Sequence, residues 1–485
     1  MAGDTGERKF VEQLPRRSED YSRWYLDVIA KAELADYSPV RGCMVIRPYG
    51  YTIWENMQGL LDARFKATGH TNAYFPLFVP EHLLMREADH VEGFAPEVAW
   101  VTHAGGEELE ERLAIRPTSE AIIGTMYSEW VQSWRDLPVL INQWCNVVRW
   151  EKRTLPFLRT AEFLWQEGHT AHRTSEEAEE ETQRMLEVYR DFIENELAIP
   201  VIPGQKTESE KFPGAKATYT VEALMPDGRA LQSGTSHFFG QNFAQAFDIS
   251  FQDLDGERRH AWTTSWGLST RTVGALIMVH GDDAGLIIPP HVAPVHAVIV
   301  PIPAKTEEDE RAIREAVKRI ENALKPGYRV KTDWSDKTPG WKFNEWELRG
   351  VPIRLEVGPR DVKNGVATVV RRDNRAKQPV AESELAECIA EVLEDIQKVL
   401  FERARTFRDE NTHTVESMDQ FLQVMQGPRG FLRARWCGRP ECEAAIKEQT
   451  GATIRCLPRG EVEDPGACVY CGESSERRAL FARAY

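Results

Sequence analysis

The chain has 485 residues, of which 42% are hydrophobic and 28% charged, and its formal net charge is −16. That hydrophobic content excludes a disordered or fibrous protein, and the length corresponds to about three domains at ~150 residues each. No run reaches the ~18 consecutive apolar residues of a membrane span, and the opening MAGDTGERKFVEQLPRRSED has no apolar stretch of the secretory kind, so a cytoplasmic location and no membrane partner are expected.

Ser18 is the predicted N-cap of an amphipathic helix over 18–36. A second helical pattern runs from Thr52 to Ala67 and stops at Gly69. The extended run AYFPLFVP follows, closed by Pro80. A third helix is predicted over 175–197, capped by Ser175, with glutamates in the first turn where the helix dipole favours them. Met185, Tyr189, Phe192 and Ile193 share its apolar face, and the glutamates form a solvated one. Alternating residues in KATYTVEAL and QAFDISFQDLDG predict strands within 216–280. The Pro-rich IIPPHVAP at 287–294 marks a domain boundary. Beyond it VHAVIVPI, YRVKTDW, IRLEVG and ATVVRRD read as strands. EEDERAIREAVKRIENALK, WKFNEWELRG and 381–403 read as helices, the order of a compact α/β domain. The expected domains are 1–290, 291–410 and a small Cys-bearing module at 411–485.

The acidic sum by itself argues against a nucleic-acid partner, but its distribution does not. Residues 1–290 hold 44 acidic and 28 basic side chains, whereas 291–410 hold 22 of each and 411–485 hold 10 of each. Within 341–380 there are nine Lys/Arg against five Asp/Glu. Cysteine is equally uneven, with five of eight in the last 49 residues. Without a secretory signal, metal binding is the better expectation than disulfides. Cys437-x₄-Cys442 and Cys468-x₂-Cys471-Gly are two short-spaced pairs that can close one structural tetrahedral Zn²⁺ site, with Cys456 outside it.

The densest chemical signal is VVRWEKRTLPFLRTAEFLWQEGH at 147–169. Arg149 and Glu151, at i and i+2, would share one face of a strand, and after a Pro-containing loop Arg159 and Phe163 would return on a paired strand. Guanidinium groups neutralise phosphate oxygens and a ring stacks on a base, so the pattern suits a nucleoside triphosphate; an ordinary charged hairpin looks the same taken alone. A second element, WGLSTRTVGALIMVHGDD at 266–283, places Gly267, Ser269 and Arg271 just ahead of an apolar helix.

With Ala67–Pro80, a helix–Gly–strand–Pro unit, these elements have the order of motifs 1, 2 and 3 of class II aminoacyl-tRNA synthetases. Motif 1 would end at Pro76, and Thr270 stands where the family commonly has an acid. RPTSE at 116–120, WQEGH at 165–169, LQSGTSHFFG at 231–240 and GWKFNEWELRGVPIRLEVGPRD at 340–361 resemble the prolyl-tRNA synthetases specifically, from about residue 16 to the C-terminus. Too little chain lies between motifs 2 and 3 for an editing insertion, so the chain resembles the archaeal/eukaryotic-type architecture and no hydrolysis of alanyl-tRNA in cis is expected. The resemblance implies an α+β protein. Its class II catalytic domain would be an antiparallel sheet flanked by helices, joined to an α/β anticodon-binding domain and a zinc-binding C-terminal domain.

The same resemblance implies a homodimer built through motif 1 and the substrates proline, ATP with Mg²⁺, and tRNA(Pro). By it, Thr118 and Glu120 hold the proline ring nitrogen, and Trp165, His169, His237 and Ser269 shape the proline pocket. Arg149 bridges the substrate carboxylate and the α-phosphate; Glu151, Gln232 and Thr235 contact ATP. Arg159 and Arg271 grip the outer phosphates, with Phe163 and Arg271 flanking the adenine. No general base is required, because a carboxylate nucleophile is already ionised at pH 7. Lys342, Arg354, Arg360, Arg371 and Arg372, near Trp341, Phe343 and Trp346, are the candidate tRNA contacts, although a charged surface over core aromatics would read alike. In similar proteins the terminal carboxylate, here that of Tyr485, folds back toward the catalytic domain. The alternatives are another synthetase of the subgroup, threonyl or histidyl, and a non-catalytic RNA-binding paralogue. Intact Arg149, Glu151, Arg159 and Arg271 weigh against the paralogue.

Overall fold

The computed structural model describes residues 14–90, 98–460 and 462–485, so the reading of the first thirteen residues lies outside the described residues. The predicted helices form with shifted ends. Asp20, not Ser18, caps the first helix, because its side chain accepts from Arg23 N, and the helix spans Tyr21–Lys31. The second starts earlier than its pattern, at Pro48, a residue whose ring suits the first turn, and runs to Ala67. Thr174, not Ser175, caps the helix Ser175–Asn195 in a reciprocal pairing with Glu177.

The body of the molecule is an eleven-stranded sheet. Its centre runs Val201–Gln205, Ala217–Leu224, Arg229–Gly240, Trp262–Ser269, Glu162–His172 and Val139–Val148, each strand antiparallel to the next. The region 216–280 is therefore not all strand: the helices Asn242–Phe247 and Arg271–His280 interrupt and end it. The period of two gives the sheet two chemically different faces. Trp266 turns to the helical side and meets Phe65 and Tyr189. Tyr189 Oη donates to Gln166 Oε1 at 2.7 Å. Met185, Leu186, Tyr189, Phe192 and Ile193 are all buried there, each stabilising the fold by about 1.5–3 kcal/mol. Gly168 is the small residue of this face; a Cβ on it would lie 2.0 Å from the Trp266 ring. Trp165, Glu167 and His169 face the other way, into a cleft.

The α/β unit has strand order Val330–Thr332, Ala297–Pro301, Ile353–Val357, Val366–Arg371, Lys377–Ala381, with the first three parallel. Its helices are Glu307–Leu324, Pro339–Leu348, the short Pro359–Lys363 and Leu385–Glu410, the last running beyond the predicted 403. The C-terminal strands Thr412–Val415, Phe431–Arg435, Arg478–Ala484 and Thr453–Pro458 do not form a separate sheet but extend the central one, Leu457 pairing with Gln205. Arg483 and Ala484 pair in parallel with Arg229 and Ala230.

Tyr485 completes this junction: its N–H donates to Ala230 O at 3.2 Å and its hydroxyl to Asp227 at 2.6 Å, with Arg229 over the ring at 5.2 Å. Deleting Tyr485 is expected to destabilise the protein by about 1–3 kcal/mol, the loss of one ring's burial and two hydrogen bonds. An unchanged thermal melt would show the terminus undocked in solution.

Candidate active site

The cleft has a volume of about 750 Å³ and lies over the strands Glu162–His172, Trp262–Ser269 and Arg229–Gly240. Thr118 and Glu120 enter its rim from the turn opening the helix Glu120–Trp130, the Thr118 hydroxyl donating to Glu120 Oε2. A bulge brings the next group in. Gly234 pairs with Val221 and Gln232 with Glu222, so Ser233 is the extra residue, and Gln232, Thr235 and His237 all line the cleft. Ser269 and Arg271 close it at the N-terminus of the helix Arg271–His280. Here the expected set of Thr118, Glu120, Arg149, Phe163, Trp165, His169, Gln232, Thr235, His237, Ser269 and Arg271 converges.

Arg149 and Glu151 do not sit on a strand: it ends at Val148, and both belong to the loop that follows. Arg149 is held there by its backbone N–H to Ala161 O at 2.8 Å and its Nε to Pro117 O at 3.0 Å. Its guanidinium lies 5.5 Å from the Phe163 and Trp165 ring centres and opens onto the cleft. Glu151 and Arg159 pair with each other at 2.8 Å in the loop rather than in the cleft wall. Within that loop Phe157 has φ +61 while buried, a strained backbone held by the surrounding structure. Arg271 donates to Leu158 O at 3.2 Å. Enclosure, reinforced by the like charges of Arg149 and Arg159, pulls its pKa down to about 10, so it stays cationic at neutral pH. The cleft thus brings the cationic Arg149 and Arg271 together with the carboxyl groups of Glu120 and Glu167.

Sequence reasoning missed Glu167, Gln143 and Phe212 among the residues at or behind the cleft wall. The signal for Glu167 was present: it lies between Trp165 and His169 at the period-two spacing. It is buried, and burial opposes its charge, but hydrogen bonds from His169, Ser119 and Gln143 and the His169 charge hold its carboxyl below the usual range. Burial likewise opposes the His169 charge, and Glu167 outweighs it, raising the imidazole. His237 is different: burial, then the His169 and Arg149 charges, push it down to about 3, so it is neutral. Its Nδ1 lies 3.0 Å from Thr218 Oγ1.

Of the candidate tRNA contacts in the α/β unit, Lys342 and Arg372 are consumed by internal bonds, which tells against those two. Lys342 is buried with Nζ donating to Asp333 O at 3.0 Å. Arg372 is buried and grips Asp282 of the central body through both Nη atoms, at 2.9 and 2.6 Å. Arg354 pairs with Glu356, and Arg371 with Asp373 and Asp395. Arg360 is exposed and makes no ion pair among the described residues. Trp346 is buried with Nε1 on Asp333. A second cleft of about 510 Å³ remains there, bordered by Arg354, Arg371, Arg375 and Lys377.

At the C-terminus Cys437, Cys442, Cys468 and Cys471 bring their sulfurs within 4.8 Å of one another. The Cys437–Cys442 and Cys437–Cys471 separations are 3.6 and 3.7 Å. Zn–S bonds of about 2.3 Å in a tetrahedron place sulfurs roughly 3.8 Å apart, so the donor set fits that ion. Cys456 is buried in the strand Thr453–Pro458, outside the cluster.

Known proteins with this combination were found along the whole chain. The family model for the tRNA synthetase class II core domain (G, H, P, S and T) matches residues 100–280. An anticodon-binding domain matches 296–392, and the prolyl-tRNA synthetase C-terminal domain matches 418–485. The chain is 58% identical to the proline–tRNA ligase of Natranaerobius thermophilus, over 98% of this chain and 99% of that one. It is 54% identical to the proline–tRNA ligase of Ruminiclostridium cellulolyticum and 55% identical to proline–tRNA ligase 2 of Clostridioides difficile, over 99% of each chain in both cases. Carrying the class II core, the anticodon-binding domain and the C-terminal domain in that order, this chain belongs to the prolyl-tRNA synthetase family of class II aminoacyl-tRNA ligases.

Proposed function

We propose that the chain activates proline with ATP and transfers the prolyl group to the 3′ end of tRNA(Pro). The observation that carries this reading is the lining of one cleft by Thr118 and the carboxyl of Glu120 together with the guanidinium groups of Arg149 and Arg271. Glu120 pairs with the ring ammonium of proline, while Trp165, His169, His237 and Ser269 enclose the ring. Arg149 then draws the substrate carboxylate and the α-phosphate together. A carboxylate oxygen forms the new bond to the α-phosphorus as the bond to the bridging oxygen breaks, and pyrophosphate leaves. The arginines stabilise the charge that spreads over the phosphoryl oxygens. Gln232, Thr235, Glu151 and Phe163 orient the nucleotide, and Arg159 and Arg271 receive its outer phosphates. Mg²⁺ enters as part of the ATP complex, bound by phosphate oxygens.

The division of labour in this reading is catalysis in 1–290, anticodon contact in 291–410 and a zinc-stabilised module in 411–485. For the RNA, Arg360 and the cleft edged by Arg354, Arg371 and Lys377 are the better contacts, since Lys342 and Arg372 are internally bonded. A homodimer is supported by Tyr37, Val45, Tyr74, Phe78 and Met85, large apolar side chains exposed around the motif 1 region. No helix among the described residues is long and apolar enough to cross a membrane. ATP–pyrophosphate exchange measured with each of the twenty amino acids tests the activity. Proline is expected to be the main substrate; exchange with threonine or histidine instead would make it another ligase, and no exchange at all a non-catalytic paralogue.

A further inference from the structure

In the cleft wall at Glu167, and behind it at Ser119 and Gln143, lies a buried polar cluster to which the reaction described above gives no task. Glu167 is 2% exposed, and its neighbours Ser119 and Gln143 are 0% and 1% exposed. Glu167 Oε1 accepts from the Ser119 hydroxyl and from Gln143 Nε2 at 2.9 Å, with Cys145 Sγ at 3.4 Å. Oε2 pairs with His169 Nε2 at 2.9 Å. An ionised carboxylate offers about four lone-pair sites, so these donors leave Glu167 little capacity for a substrate. Gln143 is fixed in turn, its Oε1 accepting from Phe75 N at 2.5 Å. The carboxylate therefore ties together three elements: the turn carrying Thr118 and Glu120, the strand Val139–Val148 and the strand bearing His169.

We propose that Glu167 is a positioning residue of the proline pocket, holding the His169 ring and the Thr118–Glu120 turn in the orientation that receives the substrate. This rests on the placement of proline in the cleft given above. The charges acting on His169 are those of Glu167 and Glu120; Arg149 and the neutral His237 line the same cleft, and the Tyr127 hydroxyl donates to the His169 carbonyl at 2.8 Å. Replacing the Glu167 carboxylate by an amide keeps the volume but removes the charge that the imidazolium needs, leaving the ring to the burial that pushes it toward neutrality. The direction follows from the raised His169 pKa. The imidazolium that completes the pair is present below that raised value and is lost as pH rises through it, whereas in the amide variant, which has no pair, the imidazolium is lost at a lower pH.

The test is pyrophosphate exchange by the full-length Glu167→Gln protein across pH 5.5–9. The expected result is a proline KM raised about tenfold or more at an ATP KM within twofold of the parent, with the inflection in proline kcat/KM displaced to lower pH. Ser119→Ala removes one donor and keeps the carboxylate, and serves if Glu167→Gln melts prematurely; it is expected to raise the proline KM several-fold at unchanged ATP KM. Glu120→Gln separates the two claims. If it leaves the proline KM unmoved, the placement of proline is wrong. If it raises the proline KM while Glu167→Gln and Ser119→Ala do not, the role of Glu167 is wrong. An ATP KM that rises as much as the proline KM in both Glu167→Gln and Ser119→Ala, or an inflection that stays in place in Glu167→Gln, also overturns that role.

Discussion

Arg149→Ala is expected to lower proline-dependent ATP–pyrophosphate exchange by about 10³-fold, the scale seen when a preorganised charge aimed at a transition state is removed. The side chain is pinned by Pro117 O and lies 5.5 Å from the centres of both the Phe163 and Trp165 rings, so its charge is aimed before substrate arrives. The two arginines proposed to receive the outer phosphates do not take its place: Arg159 is paired with Glu151 in the loop, and Arg271 is anchored on Leu158 O. Arg149→Lys is expected to recover little, because an ammonium cannot form the forked contact to two acidic oxygens at once. The fold should be unaffected, since the guanidinium opens onto the cleft rather than into the core. Exchange within tenfold of the parent protein would show that Arg149 does not bridge the reacting groups.

The second large effect concerns the four-cysteine cluster. Purified protein is expected to contain one zinc per chain. A Cys437→Ser, Cys468→Ser double variant should lose it and melt about 10 °C or more lower, because the free energy of binding a structural metal is also folding free energy. The loss should not stay local. The strand Arg478–Ala484, which follows the cluster directly, pairs with Phe431–Arg435, Thr453–Pro458 and Arg229–Gly240. Two residues beyond its partner Ala230 stands Gln232 in the cleft wall. Buried Arg455 adds a further tie, lying 3.1 Å from Glu222 beneath the same sheet. Chelation is therefore expected to weaken exchange activity as well as stability. Stoichiometric metal analysis without zinc would remove the assignment of this ion.

Much of the candidate site was legible because its residues keep local spacings that a strand or a helix start enforces. Trp165 and His169 are four apart on one strand, Thr118 and Glu120 straddle the N-cap residue of a helix, and Ser269 and Arg271 straddle another. Where the backbone leaves regular geometry, spacing misleads. Arg149 and Glu151 read as strand neighbours, yet the strand has ended at Val148 and only the loop fold aims Arg149 inward. Gln232 and Thr235 are three apart, wrong for one face of a strand, and share the cleft because Ser233 is bulged out. The basic stretch misled for another reason. Charge can be counted along a chain, but whether an arginine is free depends on what packs against it, and Asp282, the partner of Arg372, is 90 residues away.

The amino-acid sequence by itself determined the class of fold, the order of the catalytic motifs, the four thiols that cluster at the C-terminus and where the acidic excess lies. All of these are set by residue type and short-range spacing. Only the tertiary structure decided which cations remain available, that Glu167 rather than solvent holds His169, and that the C-terminal strands extend the catalytic sheet. Those outcomes depend on long-range pairing, in which burial and the satisfaction of each polar group are settled by residues far away in the chain.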